Sequence, residues 1–292
     1  MKSHARVCVI GGGVVGASVL YHLTKLGWSD VVLIERSELT SGSTWHAAGG
    51  FHTLNGDTNM AALQGYTIGL YKELEALTGL SCGLHHVGGV TLADTPERMD
   101  MLKAERAKHR YMGLHTEIID PDEIKKIAPA TNVVGGLGGL YDPLDGHLDP
   151  SGTTHAYAKA ARMQGAEITL HTQVTETRQT PEGQWQVVTD QGTMIAEHLV
   201  NAAGLWAREV AAMAGVYLPL HPMEHQYIVT DDIPMIFEAA SEHPHVMDPG
   251  GESYLRQEGR GLCIGFYEQA CKAWAVDGTP WDFGHELLPD NL

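Results

Sequence analysis

Cysteine is scarce in this chain of 292 residues, and its four copies, Cys8, Cys82, Cys263 and Cys271, are widely scattered. No two of them have the Cys-x-x-Cys spacing that is typical of zinc ribbons and redox motifs. The spacing also does not indicate a disulfide framework, which is a feature of small secreted domains. This cysteine usage fits a reducing compartment best.

Positive charge is scarce as well, because 19 Lys and Arg stand against 36 Asp and Glu, for a formal net charge of −17. Phosphates are bound by Lys and Arg, so this balance argues against nucleic acid or an anionic membrane surface as a partner. There is also no apolar run of about 18 residues and no signal-peptide core. We therefore expect a soluble protein without membrane insertion, in the cytoplasm or, in a eukaryote, the mitochondrial matrix.

Glycine, in contrast, is abundant: the chain has 34, where an average composition would contain roughly 20. The glycines have no period of three, and only 13 prolines accompany them, which excludes a collagen-like chain. A chain of this length can bury one large core or divide it between two domains. Backbone that must approach another group closely is one reason to use so much glycine.

The first cluster of glycines has the G-x-G-x-x-G spacing at Gly11, Gly13 and Gly16. It follows the apolar run 6–10 and precedes a helical pattern that ends near Gly27, which predicts a strand, a tight turn and a helix. In a dinucleotide-binding turn the first glycine permits the turn, the second lets backbone approach a pyrophosphate, and the third lets the helix pack closely. A glycine-rich turn without a ligand is the alternative.

A second apolar run, 31–34, ends in Glu35, where a carboxylate can accept hydrogen bonds from both hydroxyls of an adenosine ribose. A 2′-phosphate would be repelled, so NADP is disfavoured. These features do not separate NAD from FAD, but the small, hydroxyl-rich segment 40–50 favours FAD. Its backbone N–H groups and hydroxyls can close over a pyrophosphate, and its small residues allow a flat ring to lie against the chain.

These segments, Gly11–Gly16, Glu35–Arg36 and Ser41–Gly49, together resemble the dimethylglycine and sarcosine dehydrogenases, among the D-amino-acid-oxidase-like flavoproteins. The resemblance implies a mixed α/β fold, in which a Rossmann-like FAD-binding domain carries an inserted antiparallel-sheet substrate domain. It implies FAD-binding parts at 1–85 and 146–219 and substrate-domain parts at 86–145 and 220–292.

The resemblance also implies covalent attachment of FAD through His46, which requires a neutral, nucleophilic imidazole. A loop histidine bonded to backbone is the alternative. The implied FAD contacts are Gly11, Gly13, Val14, Val15, Gly16, Glu35, Arg36, Ser41, Gly42, Ser43, Thr44, Trp45, His46, Ala47, Ala48, Gly49, Val174, Gly204 and Trp206.

His225 and Tyr254 are the implied catalytic residues, which would face the flavin and keep the substrate amine unprotonated. The implied reaction is hydride transfer from an N-methyl or N-methylene carbon of dimethylglycine, sarcosine or a similar small N-methylated amino acid, giving an iminium. Electron-transfer flavoprotein or O₂ is the implied acceptor. For Arg256, binding of the substrate carboxylate and a surface salt bridge both stay open.

Two other functional classes stay open: a non-catalytic or regulatory homologue with the same fold, and an NAD-linked dehydrogenase. A zinc peptidase is disfavoured, although His221, Glu224 and His225 have the H-x-x-E-H order. Pro222 would break the helix that such a site needs, so no metal is expected. The segment 142–151 predicts a turn, with His147 as a turn or capping residue.

Compared with the family that it resembles, the chain is short. We expect a protein that is truncated at the C-terminus, with the adenine half of the FAD site present and the flavin half open. A downstream polypeptide could complete the fold, and folate would be a further cofactor only if a missing C-terminal domain were present.

Overall fold

The computed structural model describes residues 2–53, 55–133 and 135–290. The strands in these residues are β1 (His4–Ile10), β2 (Val31–Ile34), β3 (Gly50–Phe51), β4 (Gly89–Ala93), β5 (Glu117–Ile119), β6 (Gly138–Asp142), β7 (Gly146–His147), β8 (Glu167–Thr169), β9 (Val174–Gln179), β10 (Trp185–Thr189), β11 (Gly192–Asn201), β12 (Tyr227–Val229), β13 (His245–Asp248), β14 (Ser253–Glu258) and β15 (Gly261–Phe266). The helices are α1 (Val14–Lys25), α2 (Thr58–Thr78), α3 (Pro96–Tyr111), α4 (Pro121–Ile127), α5 (Pro150–Met163), α6 (Ala207–Met213) and α7 (Pro234–Phe237).

The first sheet has the strand order β8-β2-β1-β11-β10-β9. Strands β8, β2, β1 and β11 are parallel, while β10 and β9 form an antiparallel meander. Alternate residues of β1 point to opposite faces: Val7 and Val9 belong to a core with α1 and α5, and Cys8 to a core with Val210 of α6. Because both faces are covered, the strand is apolar throughout its second half, as is typical of parallel sheets.

The second sheet has the order β12-β15-β14-β13-β4-β6-β5. Its pairs are antiparallel except for β13 and β4, which are parallel. The sequence predicted an antiparallel sheet, and this one pair differs because β4 and β13 come from distant parts of the chain, so no hairpin dictates their direction. Helices α3 and α4 cover this sheet through Leu102 and Ile124, which are fully buried.

The helix ends have identifiable capping residues. The Asp57 side chain accepts hydrogen bonds from two backbone N–H groups at the start of α2, and Gly79 ends that helix in the left-handed conformation. Asp120 and Glu123 form a reciprocal capping box on α4. Each such N-cap contributes about 1 kcal/mol, so these caps explain why the helices begin at the residues that they do.

The third sheet has two strands, β3 and β7. The sequence predicted a turn around His147, and the structure has strand β7 there instead. His147 lies opposite Gly50, and it is buried. A Cβ on Gly146 would lie 2.0 Å from the carbonyl oxygen of His85, so the glycine permits a close approach of two chains. The partners of β7 are distant in sequence, which is why the local pattern showed only a turn.

All four cysteine thiols are unpaired. Burial without a partner raises the pKa of Cys8 to about 12, so this thiol is a packing group in the first sheet. Within the described residues, every helix is too short or too polar to span a bilayer.

Candidate FAD and substrate site

The turn from β1 to α1 packs backbone against backbone at two of the predicted glycines. Gly11 has φ of +114°, and a Cβ there would lie 2.3 Å from the carbonyl oxygen of Ala202, which follows β11. A Cβ on Gly16 would lie 1.9 Å from the carbonyl oxygen of Gly11. Gly13 is the N-cap of α1, and the N–H of Val14 donates to Thr44 Oγ1 at 3.1 Å. The helix dipole makes this end of α1 favourable for an anion.

Glu35 follows β2, and backbone N–H groups hold its carboxylate from two sides. Oε2 accepts a hydrogen bond from Gly12 at 2.7 Å, and Oε1 accepts one from Ser37 at 2.8 Å. The residue is only 8% exposed, and it borders a cleft. Because each carboxylate oxygen has a further lone pair, this position can also accept hydrogen bonds from two ribose hydroxyls.

The cleft has a volume of about 520 Å³ and lies at the carboxyl ends of β1, β2 and β11. Open α/β sheets bind ligands at the point where the strand order reverses. Here that point is β1, because the next strand in the chain, β2, lies on one side of it and β11 lies on the other. The predicted FAD contacts that line it are Gly11, Gly13, Val14, Val15, Glu35, Arg36, Ser41, Gly42, Ser43, Thr44, Ala47, Val174, Gly204 and Trp206. Gly16, Trp45, His46, Ala48 and Gly49 are outside this lining.

Thirteen of the 27 lining residues were not predicted as contacts, and Thr172, Leu220 and Trp281 are among them. Thr172 could have been found as a neighbour of Val174. Leu220 and Trp281 belong to the last quarter of the chain, and the tertiary structure brings them to the cleft without any local motif that marks them.

Arg36 connects the cleft to the C-terminal segment. Its guanidinium carbon lies 4.0 Å from the ring centroid of Trp206, and its N–H groups donate to the carbonyl oxygens of Trp281 and Phe283. The Trp206 indole N–H donates to the carbonyl oxygen of Pro280 at 3.0 Å. Partial burial lowers the pKa of Arg36. Two residues predicted as FAD contacts thus also hold the segment that forms one wall of the cleft.

His46 stacks on Trp45, with ring centroids 4.8 Å apart and planes at 28°. Burial lowers the pKa of His46, which favours the neutral ring that covalent attachment requires. The buried indole nitrogen of Trp45 has no hydrogen-bond partner among the described residues, so this loop has a polar atom available to a ligand. Together with the glycine turn and the N-terminus of α1, these features fit FAD, and the cleft volume is within the range of about 300–1,000 Å³ for cofactor sites.

Tyr267 lies between the two predicted catalytic residues, of which Tyr254 belongs to β14 and His225 precedes β12. The Tyr254 ring packs 5.5 Å from that of Tyr267, which in turn lies 5.3 Å from the imidazole of His225. The Tyr254 ring covers Gly265, where a Cβ would lie 2.2 Å from the ring. Burial raises the pKa of Tyr254 to about 12, so its hydroxyl stays protonated at neutral pH and can donate a hydrogen bond.

Arg256 is buried, and each of its three guanidinium nitrogens has a partner. Nε donates to the carbonyl oxygen of Ala48 at 2.5 Å, and a terminal nitrogen lies 2.7 Å from the carboxylate of Glu258. Its second terminal nitrogen donates to the carbonyl oxygen of Gln257 at 2.8 Å. The sequence left open binding of a substrate carboxylate and a surface salt bridge. The structure has an ion pair, but the side chain is buried and also links β14 to the loop that follows His46.

The zinc-peptidase arrangement does not form. A guanidinium nitrogen of Arg208 lies 2.9 Å from Nδ1 of His221, while Nδ1 of His225 lies 3.3 Å from a carboxylate oxygen of Glu268. Both histidines are in irregular chain ahead of β12, and the described residues place no metal-ligand group there.

His245 predicts an acid sensitivity of the fold. It is 4% exposed, and burial together with His52, His147 and Arg256 lowers its pKa to about 4 from 6.5. Between these two values the unfolded chain binds a proton that the folded chain does not, so the free energy of unfolding falls as the pH falls through this window. When the pH is lowered from about 7.5 to about 5, this group should reduce the free energy of unfolding by about 2 kcal/mol.

Replacing this residue by phenylalanine (His245→Phe) keeps a ring against Gly50 and removes the titration. Denaturant unfolding of the variant should lose less stability at the lower pH, by about 2 kcal/mol relative to the parent chain. His155→Gln, on the exposed side of α5, is the matched control and should keep the parental pH dependence. Parallel pH curves for His245→Phe and the parent would contradict the assignment.

Comparison with known proteins agrees with this site. The family model DAO, described as FAD dependent oxidoreductase, matches residues 6–290. Mitochondrial dimethylglycine dehydrogenase of Rattus norvegicus is 43% identical over 296 residues, which cover 100% of this chain and 34% of that protein. Mitochondrial sarcosine dehydrogenase of Homo sapiens is 38% identical over 290 residues, covering 97% and 31%. The chain therefore spans about a third of the length of these relatives.

Among solved structures, L-proline dehydrogenase from P. horikoshii superposes with a TM-score of 0.82 and 28% identity, covering 91% of this chain and 70% of that one. The resemblance and the mixed α/β fold that the sequence indicated are thereby confirmed.

Proposed function

Because the chain belongs to the FAD dependent oxidoreductase family, we propose that it binds FAD in the cleft and oxidises a small N-methylated amino acid such as dimethylglycine or sarcosine. The observation that carries the cofactor assignment is the cleft itself, in which the Gly11–Gly16 turn and Glu35 meet at the carboxyl ends of the parallel strands. The substrate class rests on the similarity to dimethylglycine and sarcosine dehydrogenases.

The residues of the cleft have distinct parts in holding the cofactor. Glu35 would accept hydrogen bonds from the ribose hydroxyls, the N-terminus of α1 would hold the pyrophosphate, and Val174 would border the adenine. His46 would provide the covalent link through its neutral imidazole. FAD, when bound, would supply the two-electron oxidant for the reaction.

The substrate side of the site is formed by His225 and Tyr254. Only an amine with a free lone pair can release the hydride, so the site must keep the nitrogen unprotonated. The protonated Tyr254 hydroxyl would donate a hydrogen bond to the substrate, and His225, whose Nδ1 lies 3.3 Å from a carboxylate oxygen of Glu268, would accept the proton that the ammonium form brings in. The aromatic ring of Tyr267 packs between the two groups.

Anaerobic flavin reduction tests this function. The purified protein should absorb at about 450 nm without added cofactor, and dimethylglycine or sarcosine should bleach that band. Glycine betaine, whose nitrogen is quaternary and has no lone pair, is the matched control and should leave the band unchanged. Flavin that neither N-methylated compound bleaches would contradict the substrate class, whereas a protein that binds no flavin would support a non-catalytic homologue.

The electron acceptor is the second part of the same proposal. We expect either O₂ or an electron-transfer flavoprotein, and an oxygen electrode separates them, since only an oxidase consumes O₂ with the substrate alone. The two dehydrogenase relatives are named as mitochondrial proteins, and we propose the matrix for this chain if its source is a eukaryote and the cytoplasm otherwise.

A further inference from the structure

Three side chains with metal-ligating atoms meet outside the proposed FAD cleft. Nδ1 of His85 lies 2.8 Å from Oε2 of Glu242, and Nε2 of His147 lies 2.9 Å from Oε1 of the same carboxylate. These ligand atoms all lie within 4.8 Å of one another. Within residues 2–53, 55–133 and 135–290, no other group of three His, Cys, Asp or Glu side chains comes as close together.

The backbone fixes the two histidines relative to each other. They face each other in an antiparallel bridge, in which His85 N–H donates to the His147 carbonyl at 2.8 Å and His147 N–H donates to the His85 carbonyl at 3.1 Å. Side chains directly opposite in such a pair lie on the same face. The imidazole planes are 10° apart, with centroids separated by 4.6 Å. The main-chain hydrogen bonds therefore place the two histidine backbones side by side, so that both imidazoles lie on the same face.

Glu242, in the segment before β13, contributes the carboxylate. The adjacent residue, His243, is held by hydrogen bonds. His243 N–H donates to the side chain of Gln257 at 2.8 Å, and a ring nitrogen of His243 lies 2.8 Å from the carbonyl oxygen of Pro244. Arg256 is the cation that acts on His147, and Glu258 pairs with it at 2.7 Å. The carboxylate of Glu242 lies within hydrogen-bond distance of both histidines.

We propose that His85, His147 and Glu242 bind one Zn²⁺ ion, with water as the fourth ligand. Tetrahedral zinc with bonds of about 2.0–2.2 Å places its ligand atoms about 3.3 Å apart, so the two hydrogen bonds would open by roughly 0.5 Å each. Two imidazoles and one carboxylate suit zinc. The side chain of His85 is 49% exposed and that of Glu242 29%, which leaves a path for the ion and for the water.

The consequence is a cross-link between three distant parts of the chain: the segment before β4, strand β7 and the segment before β13. Strand β7 pairs with β3, which follows the His46 loop. Zinc bound to the folded chain alone would raise the thermal unfolding temperature, and the rise would grow with the logarithm of the free zinc concentration above the Kd. This site is independent of the proposed oxidation of an N-methylated amino acid.

Metal analysis of untagged, chelator-treated protein tests the site. After incubation with ZnCl₂ and gel filtration, the parent chain should retain about one zinc per chain by mass spectrometry. Co²⁺ in its place should show the visible absorption of a four-coordinate ion. The variants His85→Ala and Glu242→Gln should bind Zn²⁺ at least about tenfold more weakly. His155→Ala, on the exposed face of α5, removes a histidine elsewhere and should bind like the parent.

His85→Ala and Glu242→Gln are preferred to a change at His147, because the loss of that buried ring can disturb folding. Circular dichroism of each variant establishes that it is folded. A parent chain that retains no zinc would overturn the proposal. The same holds if folded His85→Ala and Glu242→Gln retain as much zinc as His155→Ala, since the bound ion would then belong to another site.

Discussion

Gly16→Ala is expected to weaken FAD binding by roughly 100-fold. The added Cβ would lie 1.9 Å from the carbonyl oxygen of Gly11, and that atom belongs to the turn that faces the cofactor. Relief requires the helix to move away from the turn, because a backbone carbonyl cannot rotate aside as a flexible side chain can. Overpacking of this kind costs about 3 kcal/mol, and it acts on the geometry that positions the N-terminus of α1.

Gly69→Ala is the matched control, since Gly69 also lies within a helix but a Cβ there would have no neighbour within 4 Å. That variant should gain about 0.5–1 kcal/mol of stability from reduced backbone entropy and keep its flavin. Flavin absorbance per folded chain and the thermal unfolding temperature are the measurements. Equal flavin content in Gly16→Ala and Gly69→Ala would show that the contact between α1 and the turn does not position the cofactor.

His46→Ala is expected to convert covalently bound FAD into flavin that acid releases. The parent chain should keep its flavin in the pellet after acid precipitation and show a fluorescent band on a denaturing gel. In the variant the flavin should appear entirely in the supernatant, because alanine has no nucleophile for the bond. The lowered pKa of His46 keeps the ring neutral through the neutral pH range, so formation of the bond should not require alkaline conditions.

A change at an exposed histidine, His155→Ala, provides the control for this experiment and should leave the flavin attached. If acid releases all flavin from the parent chain, His46 is a loop histidine and covalent attachment is wrong. Non-covalent FAD would still be compatible with the cleft, so this outcome separates the link from the proposed function as a whole.

Much of the fold could be predicted because its signals are local. Helical spacing of apolar residues between Met60 and Leu77 predicts α2, which spans Thr58–Thr78. The acidic start after Asp120 predicts the beginning of α4, which has the full capping box. The strand, turn and helix at the N-terminus form as the glycine spacing indicated, and fourteen of the nineteen predicted FAD contacts line the cleft. The helix, turn and capping features each depend on residues that are close together along the chain.

The features that could not be predicted depend on pairs of residues that are distant in sequence. Arg36 binds the carbonyl oxygen of Trp281, 245 residues later, and no pattern around either residue shows that contact. Glu242 meets His147 across 95 residues, although the local sequence around His147 resembles a turn. Arg256 contacts the loop that follows His46 and pairs with Glu258. The alternation of side chains along β14 could not reveal these contacts.

The sequence by itself determined the dinucleotide turn, the acidic residue after β2 and the family, because spacing along the chain specifies local geometry and the glycines admit no side chain. The tertiary structure alone decided which C-terminal residues wall the cleft and that two histidines and a carboxylate form a second candidate site. Only folding brings such groups together, since their positions depend on sheet order and register.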